Sequence, residues 1–207
     1  MYLHIKEPEP NKQARFAMIH YKTILLLFLV IISLIPSTVF AIADIAVMGG
    51  YTPYGKIEFY DQEYDSLKGF NYGIMGHLNV DTEVIMFGFG FYFHGERLHY
   101  TFNGNTRDFT VKQSWGPDII IMVTASDVIA PYIRAGIAVL SELKYDYGYD
   151  KKEKTRFFNS GWWAIGSGIH ITEQILVFGE LQRLSMSHDN EHSAKRYTIN
   201  AGAMFNF

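Results

Sequence analysis

The chain contains no cysteine. That absence excludes a disulfide framework, thiolate metal ligands, a thiol nucleophile and lipid attachment at an N-terminal cysteine. Proline is sparse, at 6 of 207 residues, and no helix-length amphipathic pattern follows residue 44. Positive charge is not in excess either: the net charge is −3, so no basic field exists to attract nucleic acid. Tyrosine (14), phenylalanine (16) and glycine (18) are abundant instead, a composition that favours β structure. The length suits one domain with a closed interior.

There is one long apolar run. Ile24 to Ile35 is broken only by Ser33, and Lys12, Arg15 and Lys22 precede it. As a helix it spans roughly 18 Å, short of a ~30 Å hydrocarbon core. Ala41-x-Ala43 follows with the small-x-small spacing that signal peptidase accepts. Residues 1–43 are therefore expected to be a leader and signal peptide removed after Ala43; the alternative is an uncleaved anchor from Ile24 to Ala43. The first 17 residues look unlike the start of a signal, and Met18 would make a tidier beginning. Cleavage removes four basic and two acidic residues and takes the net charge from −3 to −5.

Residues 44–207 alternate apolar and polar side chains in eight stretches, 45–54, 69–80, 83–94, 109–123, 130–142, 159–171, 175–186 and 194–207. Long connections at 55–68, 95–108, 143–158 and 187–193 alternate with short ones near Asp81-Thr82, Ser126-Asp127 and Thr172-Glu173-Gln174. Long loops on one side, with tight turns and both termini on the other, is the layout of a transmembrane barrel. Each stretch is long enough to cross a bilayer at a tilt.

The forty positions on the apolar faces, from Ile45, Val47 and Gly49 to Ala203, Phe205 and Phe207, hold no Asp, Glu, Lys or Arg. A charge facing lipid near the bilayer centre costs ~2–4 kcal/mol. The opposite faces carry Asn71, His77, Asn79, Lys112, Asp118, Arg134, His170, Glu180, Gln182, Arg196, Thr198 and Asn200, with many glycines. A soluble sandwich, or a lipocalin-like barrel with an apolar cavity, would bury the apolar face; a membrane barrel turns it outward. The targeting segment, stretch length, loop alternation and bulky aromatics favour the second. The expected fold is all-β: a closed eight-stranded antiparallel up-and-down transmembrane barrel over residues 44–207.

The last stretch, Arg196-Tyr-Thr-Ile-Asn-Ala-Gly-Ala-Met-Phe-Asn-Phe207, resembles the C-terminal strand of small outer-membrane β-barrel proteins of the OmpA/OmpX type. Gly49-Gly50-Tyr51-Thr52-Pro53 resembles their first strand. The resemblance implies residence in the outer membrane of a Gram-negative-type bacterium, with lipid and lipopolysaccharide around the wall. It also implies recognition of Phe207, Phe205 and Tyr197 by the barrel-assembly machinery. Members of that class serve as adhesins, anchors, lipid enzymes and narrow pores, so fold alone assigns no activity.

Arg134 and Glu180 fall mid-stretch on the polar faces, separated by Ala164, Gly166 and Gly168, which leave room for two long side chains to meet. Lys112, Asp118 and Arg196 are expected in the same network. An eight-stranded interior is narrow enough for side chains to fill, which favours a structural ion-pair plug over a gate or proton path. His188-Asp-Asn-Glu-His192 has the spacing of a zinc motif but no expected helix and no third ligand, and reads as a solvated loop; no metal or other cofactor is expected. Ser185, Ser187 and His188 would be the raw material of a lipid A-modifying enzyme, yet strand alternation sets His188 on the other face. The tyrosine-rich connections, with Tyr60, Asp61, Glu63, Tyr64 and Asp65 in the first, suit contact with an extracellular protein or glycan, or a headgroup girdle with solvated tips. Phe70, Tyr72, Phe91, Phe93, Trp115 and Trp163 fit that girdle. The expected role is structural or adhesive and non-enzymatic. A narrow channel for small solutes and a lipid A-modifying enzyme are the alternatives.

Overall fold

A computed structural model describes residues 41–59, 62–65, 67–82, 84–102, 104–126, 128–146, 152–157, 159–187 and 192–207. Among them all regular structure is strand: β1 (Ala41–Phe59), β2 (Gln62–Asp65), β3 (Lys68–Thr82), β4 (Ile85–Phe102), β5 (Asn105–Val123), β6 (Ile129–Ala138), β7 (Leu140–Asp146), β8 (Lys152–Phe157), β9 (Asn159–Thr172), β10 (Ile175–Ser187) and β11 (His192–Asn206). Eight of these close a ring. Antiparallel pairing runs β4-β3-β1-β11-β10-β9-β6-β5, and β5 pairs back to β4. Closure gives every edge a partner, which is what a strand sheet needs where no water can satisfy its backbone.

The tight turns lie at one end. Each is organised by a hydroxyl that accepts backbone N–H groups: Thr82 Oγ1 from Ile85 at 3.2 Å, Ser126 Oγ from Val128 and Ile129 at 3.3 Å, and Thr172 Oγ1 from Gln174 at 3.2 Å and Ile175 at 3.1 Å. The start of β1 and Phe207 meet there as well, with Phe207 N–H donating to Ala43 O at 2.8 Å. The strand begins at Ala41, so the expected cleavage position falls inside β1.

At the other end the sequence reading needs correction. The stretches expected as long loops are largely continued strand. β2 folds back on β1 through Lys56↔Asp65 to Phe59↔Gln62. β4 and β5 stay paired up to Phe102↔Asn105, where Gly104 at φ 77° makes the turn that only glycine adopts without strain. β7 and β8 pair from Ser141↔Phe157 to Asp146↔Lys152. On β4 the alternation itself runs on, with Leu98 and Tyr100 buried and Arg97, His99 and Thr101 exposed, so the extension is hidden only by the polar character of its outward residues. Tyr60, Asp61 and residues 188–191 lie outside the described residues.

None of the forty apolar-face positions is buried inside the barrel. Phe70 is 70% exposed, Ile199 58% and Ile165 55%, a surface that water would penalise and acyl chains would not. The inward positions hold a dense apolar set, including Met48, Met75, Tyr92, Ile120, Tyr132, Trp162, Phe178 and Met204. Large rings fit because the neighbouring strand offers no side chain beside them. A Cβ on Gly136 would collide with the Trp162 ring, and one on Gly166 with the Tyr132 ring.

Candidate functional site

The inward face of the eight strands brings Asp44 (β1), His77 and Asn79 (β3), Asp118 (β5), Arg134 (β6), Glu180 and Gln182 (β10), and Thr198 and Asn200 (β11) into one buried layer. Arg134 is its centre. Its Nη1 donates to Asp118 Oδ2 at 2.9 Å and its Nη2 to Glu180 Oε1 at 3.0 Å, and all three side chains are 0% exposed. The guanidinium also stacks over the Tyr92 ring, 4.7 Å from its centroid. Glu180 accepts further bonds from Tyr132 Oη at 3.1 Å and Asn200 Nδ2 at 3.0 Å. Gln182 extends the chain, accepting from Asn200 at 3.1 Å and Thr198 at 3.3 Å.

On the far side of Asp118 stands His77. Its two ring nitrogens face carboxylates, Asp44 Oδ1 at 2.9 Å and Asp118 Oδ2 at 3.4 Å. A neutral imidazole has one N–H, so only the doubly protonated ring donates to both. Asn79 Nδ2 donates to the other Asp44 oxygen at 2.6 Å. The layer thus sets three carboxylates against one guanidinium and one histidine.

A second layer lies nearer the extended hairpins. Glu96 ion-pairs with Arg196, and His94 Nε2 lies 3.2 Å from the other Glu96 oxygen. His94 stacks on Tyr92 with ring centroids 5.2 Å apart, which joins the two layers. Above it the interior turns apolar, with Ile57, Leu67, Leu98, Tyr100, Phe109, Val111, Met186 and Ala194 packed together.

Of the expected network, Arg134, Glu180 and Asp118 meet directly. Arg196 is buried but pairs with Glu96, not with Arg134. Lys112 does not enter the lumen. Its side chain is 41% exposed and its ammonium lies 3.7 Å from Glu142. The register slips between Val111 and Gln113 where β5 meets β7, and a one-residue slip swaps the two faces of a strand. His170 is half-buried, near the turn end. The sequence reading missed Glu96, assigned to a loop, and Asp44, at the expected start of the mature chain. The alternation of β4 continues unbroken through His94, Glu96 and Leu98, a signal that was present.

On the outside, Phe70, Tyr72, Phe91 and Trp163 are exposed and Phe93 and Trp115 half-buried. Phe207, Phe205 and Tyr197 face outward on β11 or at its end. Ser185 and Ser187 point outward and half-buried from β10. His188, and the first three residues after it in the candidate metal motif, lie outside the described residues, and His192 opens β11. Among the described residues no group of three or more His, Asp or Glu side chains is placed to hold a metal ion.

A closed antiparallel barrel with an apolar exterior and a charged, filled interior is a transmembrane β-barrel. The chain belongs to the outer membrane protein beta-barrel domain family, whose model matches residues 26–207. That family resides in the outer membrane of Gram-negative bacteria. No curated protein matches the sequence. Among solved structures, the chain is similar to Neisserial surface protein A, at 15% identity and a TM-score of 0.55 over 80% of this chain and 97% of that one. It is also similar to Ail, the attachment invasion locus protein of Yersinia pestis (12%, 0.44, 79% and 99%), and to the N-terminal β-barrel domain of Pseudomonas aeruginosa OprF (13%, 0.44, 79% and 97%). At these identities the likeness shows the fold alone.

Proposed function

We propose that this outer-membrane barrel is a non-conducting, non-catalytic envelope protein, exported through the inner membrane by its leader, whose extended hairpins carry a structural or adhesive role. The observation behind this reading is the fully buried Arg134–Asp118–Glu180 cluster at the centre of the lumen, with an apolar layer above it. Two carboxylates, Asp118 of β5 and Glu180 of β10, hold one guanidinium between them, and an eight-stranded interior has little space left beside them. The hairpins support the second half of the reading. β4 and β5 stand on as a paired ribbon whose outward residues, Arg97, His99, Thr101, Thr106 and Asp108, are largely polar.

Planar-bilayer recording tests the plug. The wild-type barrel is expected to give no conductance steps, and stable steps would establish the narrow-channel alternative. The adhesive role is tested by replacing residues 99–108 with an Asn-Gly turn. Cells displaying the shortened chain are expected to lose attachment to glycan- or protein-coated surfaces while the purified barrel keeps its heat-dependent gel shift. Unchanged attachment would remove the role from this hairpin. Altered lipid A mass spectra on overexpression would point to the enzyme alternative.

A further inference from the structure

We propose that the outer wall formed by β10, β11 and β1 binds the phosphate of a phosphorylated lipid, through Arg183 and Lys195 set above the aromatic collar. Both residues face away from the lumen, one strand apart. Arg183 is registered between Trp163 on β9 and Tyr197 on β11, and its guanidinium lies 5.8 Å from the centroid of the Tyr197 ring. Lys195 is exposed one rung above Tyr197, with Lys56 of β1 directly opposite it in the register. Among the described residues neither Arg183 nor Lys195 has an acidic partner. Arg183 Nε is covered and unbonded.

Height on the wall points to the ligand. Tyrosine and tryptophan collect where acyl chains give way to headgroups, and Trp163, Tyr197 and Tyr54 sit at the level of Arg183 on adjoining strands. Cations at that level meet the phosphates of lipids, each worth about 1 kcal/mol near an anionic surface. The guanidinium is suited to the task, because its fork of N–H donors matches phosphate oxygens. Lower on the same three strands the wall recedes. Gly49, Gly179 and Ala201 lie side by side in the register and face outward, leaving space beside the barrel for an acyl chain.

The opposite wall supplies the contrast. In the ring, β4 and β5 stand across from β10 and β11. There Lys112 is engaged by Glu142 at 3.7 Å and His99 by Asp108 at 2.8 Å. Near Arg183 and Lys195, Glu58 accepts from Ser193 Oγ at 3.2 Å and lies beyond Lys56 along β1, while Asp65 of β2 stands on the other side of Lys56 in the register.

The test uses the full barrel in non-ionic detergent, with diphosphoryl lipid A as the probe and native mass spectrometry as the readout. The wild-type chain is expected to retain one lipid molecule, to lose it at high salt, and to ignore lipid A stripped of its phosphates. Arg183→Gln/Lys195→Gln is expected to weaken retention about thirtyfold. Arg97→Gln/Lys112→Gln, the same loss of charge on the opposite wall, is expected to change nothing. Arg183→Lys/Lys195→Arg keeps the charges and should keep most of the binding. Every variant should keep its heat-dependent gel shift, since no lumen residue is touched. Equal loss in both double glutamine variants, or full retention in Arg183→Gln/Lys195→Gln, would overturn the proposal. Displacement of the lipid by excess inorganic phosphate would overturn the lipid as the ligand.

Discussion

The two buried polar layers of the lumen are built from the same residue types but differ in charge balance. The layer around Arg134 holds Asp44, Asp118 and Glu180 against one guanidinium and His77. The layer around Arg196 holds one carboxylate, Glu96, against one guanidinium, with His94 beside it. In the first, no single pair can be lifted out without leaving a charge behind. In the second, the pair is self-contained. Burial magnifies the difference, because an uncompensated charge inside a dry interior costs several kcal/mol while a complete pair is often near neutral overall.

Arg134→Met should therefore be the most damaging change, lowering the unfolding free energy by about 3–5 kcal/mol, because it leaves Asp118 and Glu180 facing each other across the lumen. Urea titration of the barrel folded into lipid vesicles measures it. A loss below about 1 kcal/mol would mean that the carboxylates take up protons and that the layer is not held by charge. Phe109→Ala comes next, at about 3 kcal/mol, since Phe109 is fully buried in the apolar layer and truncation leaves a cavity. The same titration reads it, and a much smaller loss would show that the apolar layer collapses to fill the gap.

The sharpest division comes from paired removals. Arg196→Met/Glu96→Gln should restore stability to within about 1 kcal/mol of wild type, because both members of a complete pair have gone. Arg134→Met/Glu180→Gln should recover much less, because Asp118 and Asp44 remain with His77 alone. A double-mutant cycle on each pair decides the matter. Equal recovery in both would erase the distinction between the layers.

The same division explains what could be read from the sequence. The lower layer rests on strands with regular alternation, so parity alone placed Asp118, Arg134, Glu180 and Asn200 on the inner face, and the ring of eight strands followed from the turns. Parity fails at the collar. The β1–β11 register shifts between Tyr51 and Tyr54, β4–β5 between His94 and Glu96, and β5–β7 between Val111 and Gln113. Bulges gather at barrel rims, where they increase the local twist and re-aim side chains. Nothing in a run such as Val111-Lys-Gln-Ser-Trp115 marks the extra residue, because each member is tolerated on either face near the headgroups. Counting across such a site sends Lys112 inward, and treating the rest as loop overlooks Glu96. The Arg134–Glu180 contact was accessible for a further reason: Ala164 and Gly166 lie between those strands, and small residues signal that something larger crosses over them.

Lys112 supplies the smallest effect and the cleanest check on where the bulge falls. If the slip between Val111 and Gln113 directs it outward, its exposed side chain is screened by water and its contact with Glu142 is worth under about 0.5 kcal/mol. Lys112→Gln should then leave the urea midpoint unchanged within error, and a water-soluble amine reagent should modify Lys112 in the folded barrel. Were it a lumen residue, as simple alternation has it, the same substitution would unbalance a buried network and cost several kcal/mol. The two outcomes differ by nearly an order of magnitude in free energy, so one titration locates the register shift without further structural work.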